Sequence, residues 1–269
     1  MEFELPPEYQ MIKDTVQRFV REELMPLEPG VLAREAKEGI CKLTTKEKAV
    51  LLEKCKNLGL WGLDVPKEYD GMNLSSVAMV GINEAIGTTP VPFTFPPDSP
   101  NLHMLKETVN EIQKEKYLIP YAKGETVSAI AISEPGAGSD PSSMVTKAVK
   151  DGTDWVINGR KIWISRVDEA DFTILVAVTD PEKGTRGGMS SFIIEKDTPG
   201  FIVEREIPLI GGASNFELVL EDCRIPSSQL LGEEGKGFAA MQNRLVIRRL
   251  QMAAWCVGMA ERALQMMIE

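Results

Sequence analysis

The feature that most constrains the fold is a change of residue pattern after Gly124. From that point, short runs rich in β-branched and aromatic residues alternate with turn residues, which is the pattern of β-strands. Asp151-Gly152 and Asn158-Gly159 are strong hairpin signals between neighbouring runs. Strands this closely spaced predict a β-sandwich or a β-barrel. The predicted strands are 127–132, 144–149, 155–157, 161–164, 172–178, 190–194, 201–205 and 217–220, and the stretch 222–226 is predicted to lead out of the sheet.

The sequence before this change has the pattern of α-helices. Apolar residues recur at helical spacing along 7–27, and Pro26 and Pro29 are predicted to stop that helix. Further helices are predicted at 44–58, 75–86, 101–109 and 111–118. After the strands, a turn at 232–238 starts a long amphipathic helix at 239–269, whose apolar face needs another element to cover it.

Composition narrows the classes of function. A formal net charge of −10 argues against nucleic acid as a partner. The four cysteines show no C-x-x-C spacing, and His103 is the single histidine, so the sequence predicts no metal site and no histidine-based triad. We expect reduced thiols, an intracellular location, no signal peptide and no membrane span.

The stretch 130–140 reads I-A-I-S-E-P-G-A-G-S-D and begins as a buried strand. Pro135 fixes one φ angle, and Gly136 and Gly138 allow close approach of another group to the backbone. A strand that opens into a glycine-rich loop carrying hydroxyls is suited to holding a polar cofactor. The alternative is a tight connection between two strands, because short motifs also match by chance.

A second stretch, N-G-R-K-I-W-I-S at 158–165, is a turn followed by a short strand that carries a tryptophan and a hydroxyl. Together with E-P-G-A-G-S-D and the connection T-K-A-x-x-x-G-T-D-W-V-I, it resembles the acyl-CoA dehydrogenase family of flavoproteins. The resemblance implies an α+β fold with an N-terminal all-α domain at 1–124 and a middle β-sandwich or barrel domain at 125–231. It also implies that 232–269 is the first helix of a C-terminal helical bundle, completed by missing sequence or by a partner chain.

The resemblance also implies a cofactor, FAD, and residues that hold it. Ile130, Ile132 and Ser133 would face the flavin, Trp163 would lie against its ring, and Ser165 would reach its N5 region. Ile164 would be a further cofactor-binding residue. Ser139 matches a serine that contacts the CoA portion of the substrate. Arg249 matches an arginine that reaches the FAD pyrophosphate of a neighbouring subunit, a role that suits charge-assisted bonds. The alternatives are a core aromatic for Trp163 and a solvated helix face for Arg249.

The reaction implied is α,β-dehydrogenation of an acyl-CoA thioester, in which a carboxylate takes the α-proton and the flavin accepts the β-hydride. No catalytic base is identified, because the matching positions on the last helix hold Arg248 and Val246. Glu261 and Glu269 have the character of helix-surface residues and are not assigned to this role.

The resemblance further implies an electron-transfer flavoprotein as electron acceptor, a homo- or hetero-tetramer, and a location in the cytoplasm or the mitochondrial matrix. Alternatives that keep the fold are an acyl-CoA oxidase and a flavin monooxygenase. A third, from a different class, is a non-catalytic scaffold subunit of a hetero-oligomeric dehydrogenase.

Overall fold

A computed structural model describes residues 6–97, 100–209 and 213–268. The chain divides into two compact units, one formed by Met1–Pro100, Gly211–Ala213 and Leu245–Glu269 and the other by Asn101–Ile210 and Ser214–Arg244. The helices are α1 Pro7–Phe19, α2 Glu28–Glu38, α3 Thr45–Asn57, α4 Ser76–Gly87, α5 Pro100–Thr108, α6 Glu111–Gln113, α7 Ile119–Ala122 and α8 Gly237–Ile268. The strands are β1 Ser128–Ala131, β2 Lys147–Asp151, β3 Asp154–Ser165, β4 Phe172–Val178, β5 Met189–Glu195, β6 Phe201–Pro208, β7 Ser214–Pro226 and β8 Leu230–Leu231.

The α+β fold class is confirmed: helices precede a mixed sheet, and a long helix follows it. The domain boundaries at 124 and 231 stay a prediction. None of the helices in the described ranges has the length and apolarity needed to cross a bilayer.

The first helical segment continues further than the sequence predicted. After α1 the chain passes through a π turn at Val20–Leu24 and a 3-10 turn at Met25–Leu27, and then directly into α2. The prediction that Pro26 and Pro29 stop the helix is therefore wrong. Pro29 lies in the first turn of α2, where a backbone N–H has no partner within the helix and proline is well tolerated.

Within the helical unit, aromatic and aliphatic side chains of α1, α3 and α4 form one buried core. Helix α8 approaches α4 closely because glycines face it. A Cβ atom on Gly87 would lie 2.4 Å from the carbonyl oxygen of Trp255, and one on Gly258 would lie 2.0 Å from the carbonyl oxygen of Glu84. No larger side chain fits at either glycine without moving a backbone.

The other unit is built on an eight-stranded mixed sheet in the order β6-β7-β3-β2-β4-β5-β8, with β1 parallel to β4. Its core contains side chains of β3 and β7 together with side chains of β4 and β5. The cluster joins Ala129, Ala131, Ala148, Trp155, Ile157, Ile164, Leu175, Phe192, Leu218 and Leu220, among others.

Two predictions about the strands are wrong. The runs 155–157 and 161–164 are parts of one strand, β3, and Asn158-Gly159 is not a hairpin turn. Gly159 has a φ of 153° and lies at a register shift against β7, and a Cβ atom there would lie 2.4 Å from Thr146 Oγ1. Asn158 exchanges two hydrogen bonds with Asp222, which keeps this irregular position inside the sheet. The second error is the exit at 222–226, because β7 continues to Pro226 and pairs there with the start of β3.

Candidate functional site

The two motifs singled out in the sequence lie side by side in the sheet unit. The backbone N–H of Ile162 donates to the carbonyl oxygen of Ser133 at 2.9 Å. The ammonium group of Lys161 donates to the carbonyl oxygen of Ile132 at 3.0 Å. The loop that follows β1 is therefore fixed against the last third of β3, and Ser133 is held next to the segment that contains Trp163.

A buried ion pair joins these segments. Lys161 Nζ lies 2.9 Å from Glu134 Oε1, and the two side chains are 0% and 2% exposed. Glu134 also accepts the backbone N–H groups of Val145, at 2.7 Å, and Thr146, at 3.0 Å. Every formal charge of the pair thus has several partners, as a buried ion pair requires.

Burial and charge act on this pair in opposite directions. Burial lowers the pKa of the Lys161 ammonium to about 8, against the pull of the neighbouring carboxylate. Burial alone would raise the pKa of Glu134, but the charge of Lys161 and the bonds from Thr146 and Val145 outweigh it and hold that pKa below its ordinary value of 4.5. We conclude that the carboxylate is ionised at neutral pH.

Neither member of the pair was singled out in the sequence. A partial signal was present, because Lys161 lies in a strand between Ile157 and Ile164, which are both buried, and Glu134 precedes the proline-glycine turn. A lysine in such an inward position needs a buried partner.

Trp163 has an unusual backbone and an unusual exposure. Its φ is 62°, and its side chain is 52% exposed. It lies in a β-bulge, because the register against β7 shifts between Lys161 and Ile164. A left-handed conformation for a bulky residue stores roughly 1–3 kcal/mol and is concentrated at functional sites. The core aromatic alternative for Trp163 does not describe this side chain.

The other predicted residues on β1, its loop and β3 differ in exposure. Ile130 and Ile132 are half-buried, as is Ser133. Ile164 is only 2% exposed and belongs to the core of the sheet unit, so only its backbone is available to a ligand. Ser165 is exposed, and its hydroxyl donates to Asn215 Oδ1 at 2.8 Å.

The glycine-rich loop is open. Ser139 is exposed, and a Cβ atom placed on Gly136 or Gly138 would meet no heavy atom within 4 Å. The Asp140 carboxylate forms a hydrogen bond within the loop, where it accepts the backbone N–H of Ser142 at 3.0 Å. The free space at both glycines leaves room for a ligand against the loop backbone.

Arg249 lies in the helical unit, on α8, with an exposed side chain. The neighbouring Arg248 is engaged within that unit, because its guanidinium stacks 4.7 Å from the centre of the Trp255 ring and donates to Gln251 Oε1. Val246 is 51% exposed. Neither Val246 nor Arg248 carries a carboxylate, so these positions supply no base for proton abstraction.

A wide cleft of about 810 Å³ lies elsewhere on the sheet unit. It is lined by residues at the start of β4 and the end of β7, so it lies at the opposite end of the strands from Ser133 and Trp163. Two of the cations that line it are engaged in ion pairs: Lys116 with Glu195, and Arg224 with two aspartates. Size alone therefore does not mark this cleft as the functional site. In the described ranges, no group of histidine, cysteine and carboxylate side chains is placed to hold a metal ion.

Comparisons with known proteins agree with the motifs. The acyl-CoA dehydrogenase N-terminal domain matches residues 6–125, and the acyl-CoA dehydrogenase middle domain matches residues 129–223. The chain belongs to the acyl-CoA dehydrogenase family. The family resemblance inferred from the sequence, to flavoproteins of this class, is confirmed.

Three relatives show how far the similarity extends. The (R)-benzylsuccinyl-CoA dehydrogenase of Thauera aromatica is 41% identical over 100% of this chain and 68% of its own length. The structure of butyryl-CoA dehydrogenase from Megasphaera elsdenii is 30% identical, with a TM-score of 0.83 over 98% of this chain and 69% of that one. A structure described as PigA with FAD and proline is 28% identical, with a TM-score of 0.85 over 100% of this chain and 69% of that one. The chain thus spans about two thirds of the length of each of these three proteins.

Proposed function

We propose that this chain is the FAD-binding portion of an acyl-CoA dehydrogenase that carries out α,β-dehydrogenation of an acyl-CoA thioester. The observation that carries the proposal is Trp163, a half-exposed indole in a strained bulge that is held beside Ser133. A flat apolar ring next to a hydroxyl-bearing loop suits an isoalloxazine ring, which needs a wall and polar contacts at its edge. The relative described as PigA with FAD and proline supports the choice of cofactor.

The residues present fit this cofactor. Trp163 would form the wall, and the hydroxyls of Ser133 and Ser165 would lie at the polar edge of the ring. The backbones of Ile130, Ile132 and Ile164 would contribute contacts, since the side chain of Ile164 lies in the core. When bound, the flavin would accept the hydride that leaves the β-carbon of the acyl group.

We assign the CoA portion of the substrate to the open glycine-rich loop. Ser139 is exposed there, and the space beside Gly136 and Gly138 admits a polar chain against the backbone. The (R)-benzylsuccinyl-CoA dehydrogenase of Thauera aromatica and the butyryl-CoA dehydrogenase of Megasphaera elsdenii support a CoA thioester as the substrate class.

The chain needs further helices to complete its C-terminal bundle. Several large apolar side chains of α8 are exposed, which supports a covering element from additional sequence or a partner chain in a homo- or hetero-tetramer. These residues are Val246, Leu250, Met252, Val257, Met259, Leu264, Met266, Met267 and Ile268. In such an assembly Arg249 would bind the FAD pyrophosphate of a neighbouring subunit.

The α-proton requires a carboxylate base within hydrogen-bond reach of the α-carbon. Because Val246 and Arg248 stand at the positions where the family places one on this helix, we assign the base to polypeptide beyond residues 1–269. We expect an electron-transfer flavoprotein to accept the electrons.

The experiment is to isolate the protein with its natural partners and count flavin per chain. We expect FAD in a fixed ratio, bleaching on anaerobic addition of an acyl-CoA, and slow reoxidation by oxygen. Rapid reoxidation of the flavin by oxygen would instead indicate an oxidase or a monooxygenase. A colourless protein whose partner keeps its own flavin would instead establish a scaffold subunit.

A further inference from the structure

The pair formed by Glu134 and Lys161 connects three segments of the sheet unit. Lys161 belongs to β3 and donates to the carbonyl oxygen of Ile132, the residue that follows β1. Glu134 lies in the loop after β1 and accepts two backbone N–H groups, of Val145 and Thr146, which lead into β2. One buried pair therefore fixes the loop and the entry to β2 against β3.

Stability alone does not explain such a pair. Taking two charges out of water is expensive, and well-packed apolar residues of similar volume are often as stabilising or more so. The core of the same unit is built from alanine, leucine, isoleucine and other apolar residues, so apolar side chains at these two positions are the natural comparison. An apolar pair would make none of the directional hydrogen bonds that this pair makes. It could not donate to the carbonyl oxygen of Ile132 or accept the backbone N–H groups of Val145 and Thr146.

The contacts of the pair lie next to both residues that are predicted to hold the flavin, Ser133 and Trp163. Ser133 lies between Ile132 and Glu134, both of which contact Lys161. Trp163 lies two residues after Lys161, where the register shift of β3 turns its side chain outward. The bond from Ile162 N to Ser133 O closes this arrangement. A shift of the Lys161 ammonium would therefore move the loop that carries Ser133 relative to the bulge that carries Trp163.

We propose that Glu134 and Lys161 are positioning residues that hold Ser133 and the Trp163 bulge in the arrangement that receives the flavin ring. The proposal rests on the proposed function where it concerns the flavin. The pair acts through the backbone of the loop and the bulge, and neither side chain is available to touch a cofactor, since both are buried.

The test compares three forms of the full assembled protein: wild type, the double variant Glu134→Gln with Lys161→Met, and the matched control Lys150→Met. The double variant keeps the volume of both side chains and removes both charges, so no unpaired buried charge remains. Lys150 lies on the neighbouring strand β2, where its side chain is 59% exposed and pairs with Glu234.

Two readouts are measured after each protein is confirmed to unfold cooperatively. One is amide hydrogen exchange at Ile162, whose N–H bonds Ser133, in the flavin-free protein. The other is the dissociation constant for FAD. In the double variant, we expect the exchange rate of the Ile162 amide to rise at least about tenfold over wild type. We expect the dissociation constant for FAD to rise by at least the same factor, which corresponds to ~1.4 kcal/mol. The Lys150→Met control should match wild type in both.

The outcomes separate this inference from the proposed function. A double variant with a protected Ile162 amide and wild-type FAD affinity would show that the pair serves only the fold. If wild-type protein binds no FAD, the proposed function fails, while hydrogen exchange still decides whether the pair holds the loop. Should the double variant not fold, Glu134→Gln alone is measured in the same way, since it keeps one of the two side-chain oxygens that accept from Val145 and Thr146.

Discussion

Strand β3 carries two tryptophans that differ in almost every respect. Trp155, near its start, is 2% exposed and packs edge-on against Phe192 with ring centres 5.2 Å apart. Trp163, near its end, is 52% exposed and has a left-handed backbone in a bulge. The first half of the strand follows the regular alternation of a half-buried strand. The second half departs from that alternation and is held by a buried ion pair.

The difference between the two tryptophans shows which of them the packing of the fold explains. Burial of Trp155 removes a large aromatic surface from water, so the fold itself accounts for a tryptophan there. Trp163 gains little from burial and adopts a backbone conformation that opposes stability. We therefore propose that Trp163 contacts the flavin and contributes little to the packing of the fold.

The largest contrast concerns stability. We expect Trp155→Ala to lower the free energy of unfolding by roughly 3–5 kcal/mol, because it leaves a cavity beside Phe192. Trp163→Ala should change it by about 0.5 kcal/mol or less, as for other exposed side chains. Urea unfolding of both variants under the same conditions measures the two values. Equal losses would mean that Trp163 is part of the packed core after all.

The contribution of the Glu134–Lys161 pair to stability should be lost in acid. We expect Glu134→Gln to lower the free energy of unfolding by about 3 kcal/mol at neutral pH, since Lys161 is left buried without its counter-charge. In the wild type, the folded-state pKa of Glu134 lies below its ordinary value of 4.5, so the unfolded chain binds the proton more readily. The contribution of the carboxylate is therefore complete above pH 4.5 and is lost as the pH falls through the lowered folded value.

The measurement is urea unfolding of wild type and Glu134→Gln from neutral pH into this acidic range. The gap between the two proteins should narrow as the pH falls. A gap that stays constant would show that the charge of Glu134 contributes nothing to stability.

Arg249, an exposed residue outside the sheet, allows a further test of flavin binding. Arg249 is exposed on α8, whereas Arg262 on the same helix lies within 3.9 Å of Glu28. We expect Arg249→Ala to weaken FAD binding in the assembled protein by an amount corresponding to about 1.5–3 kcal/mol, the value of a hydrogen bond to a charged group. Arg262→Ala should leave the flavin content unchanged. Flavin absorbance per chain distinguishes them, and equal occupancy in both variants would remove Arg249 from the pyrophosphate.

The smallest effect concerns the strain at Trp163. Glycine adopts a positive φ without penalty, so Trp163→Gly should be more stable than Trp163→Ala by about 1–2 kcal/mol. The same substitution pair at Trp155, where the backbone is a regular strand, should favour alanine. If alanine is also preferred at position 163, the bulge carries no strain in solution.

Much of the fold could be predicted from regular patterns. The strand predicted at 172–178 coincides with β4, and the helix predicted at 75–86 differs from α4 by one residue at each end. Both are strongly apolar and contain no proline, so the apolar pattern together with the flanking polar residues indicated them. The family could be predicted because two polar motifs occurred in order with a recognisable connection between them.

The errors lie where one local signal has two structural uses. Asn158-Gly159 serves a hairpin turn in many chains, but here it forms a bulge inside β3, because Asn158 bonds Asp222 across the sheet. Proline commonly ends a helix when it falls inside one, yet Pro29 lies in the first turn of α2. Glu134 and Lys161 were not singled out because charged residues are usually found at the surface, whereas the structure shows that both side chains are buried.

The central claim is that Trp163 is retained for a flavin and not for the fold. The most direct test is a titration of the apo form of the assembled protein with FAD, comparing wild type with Trp163→Ala after both have been shown to unfold at the same urea concentration. We predict that the variant binds FAD at least about tenfold more weakly. Equal FAD affinity for the two proteins would contradict the account.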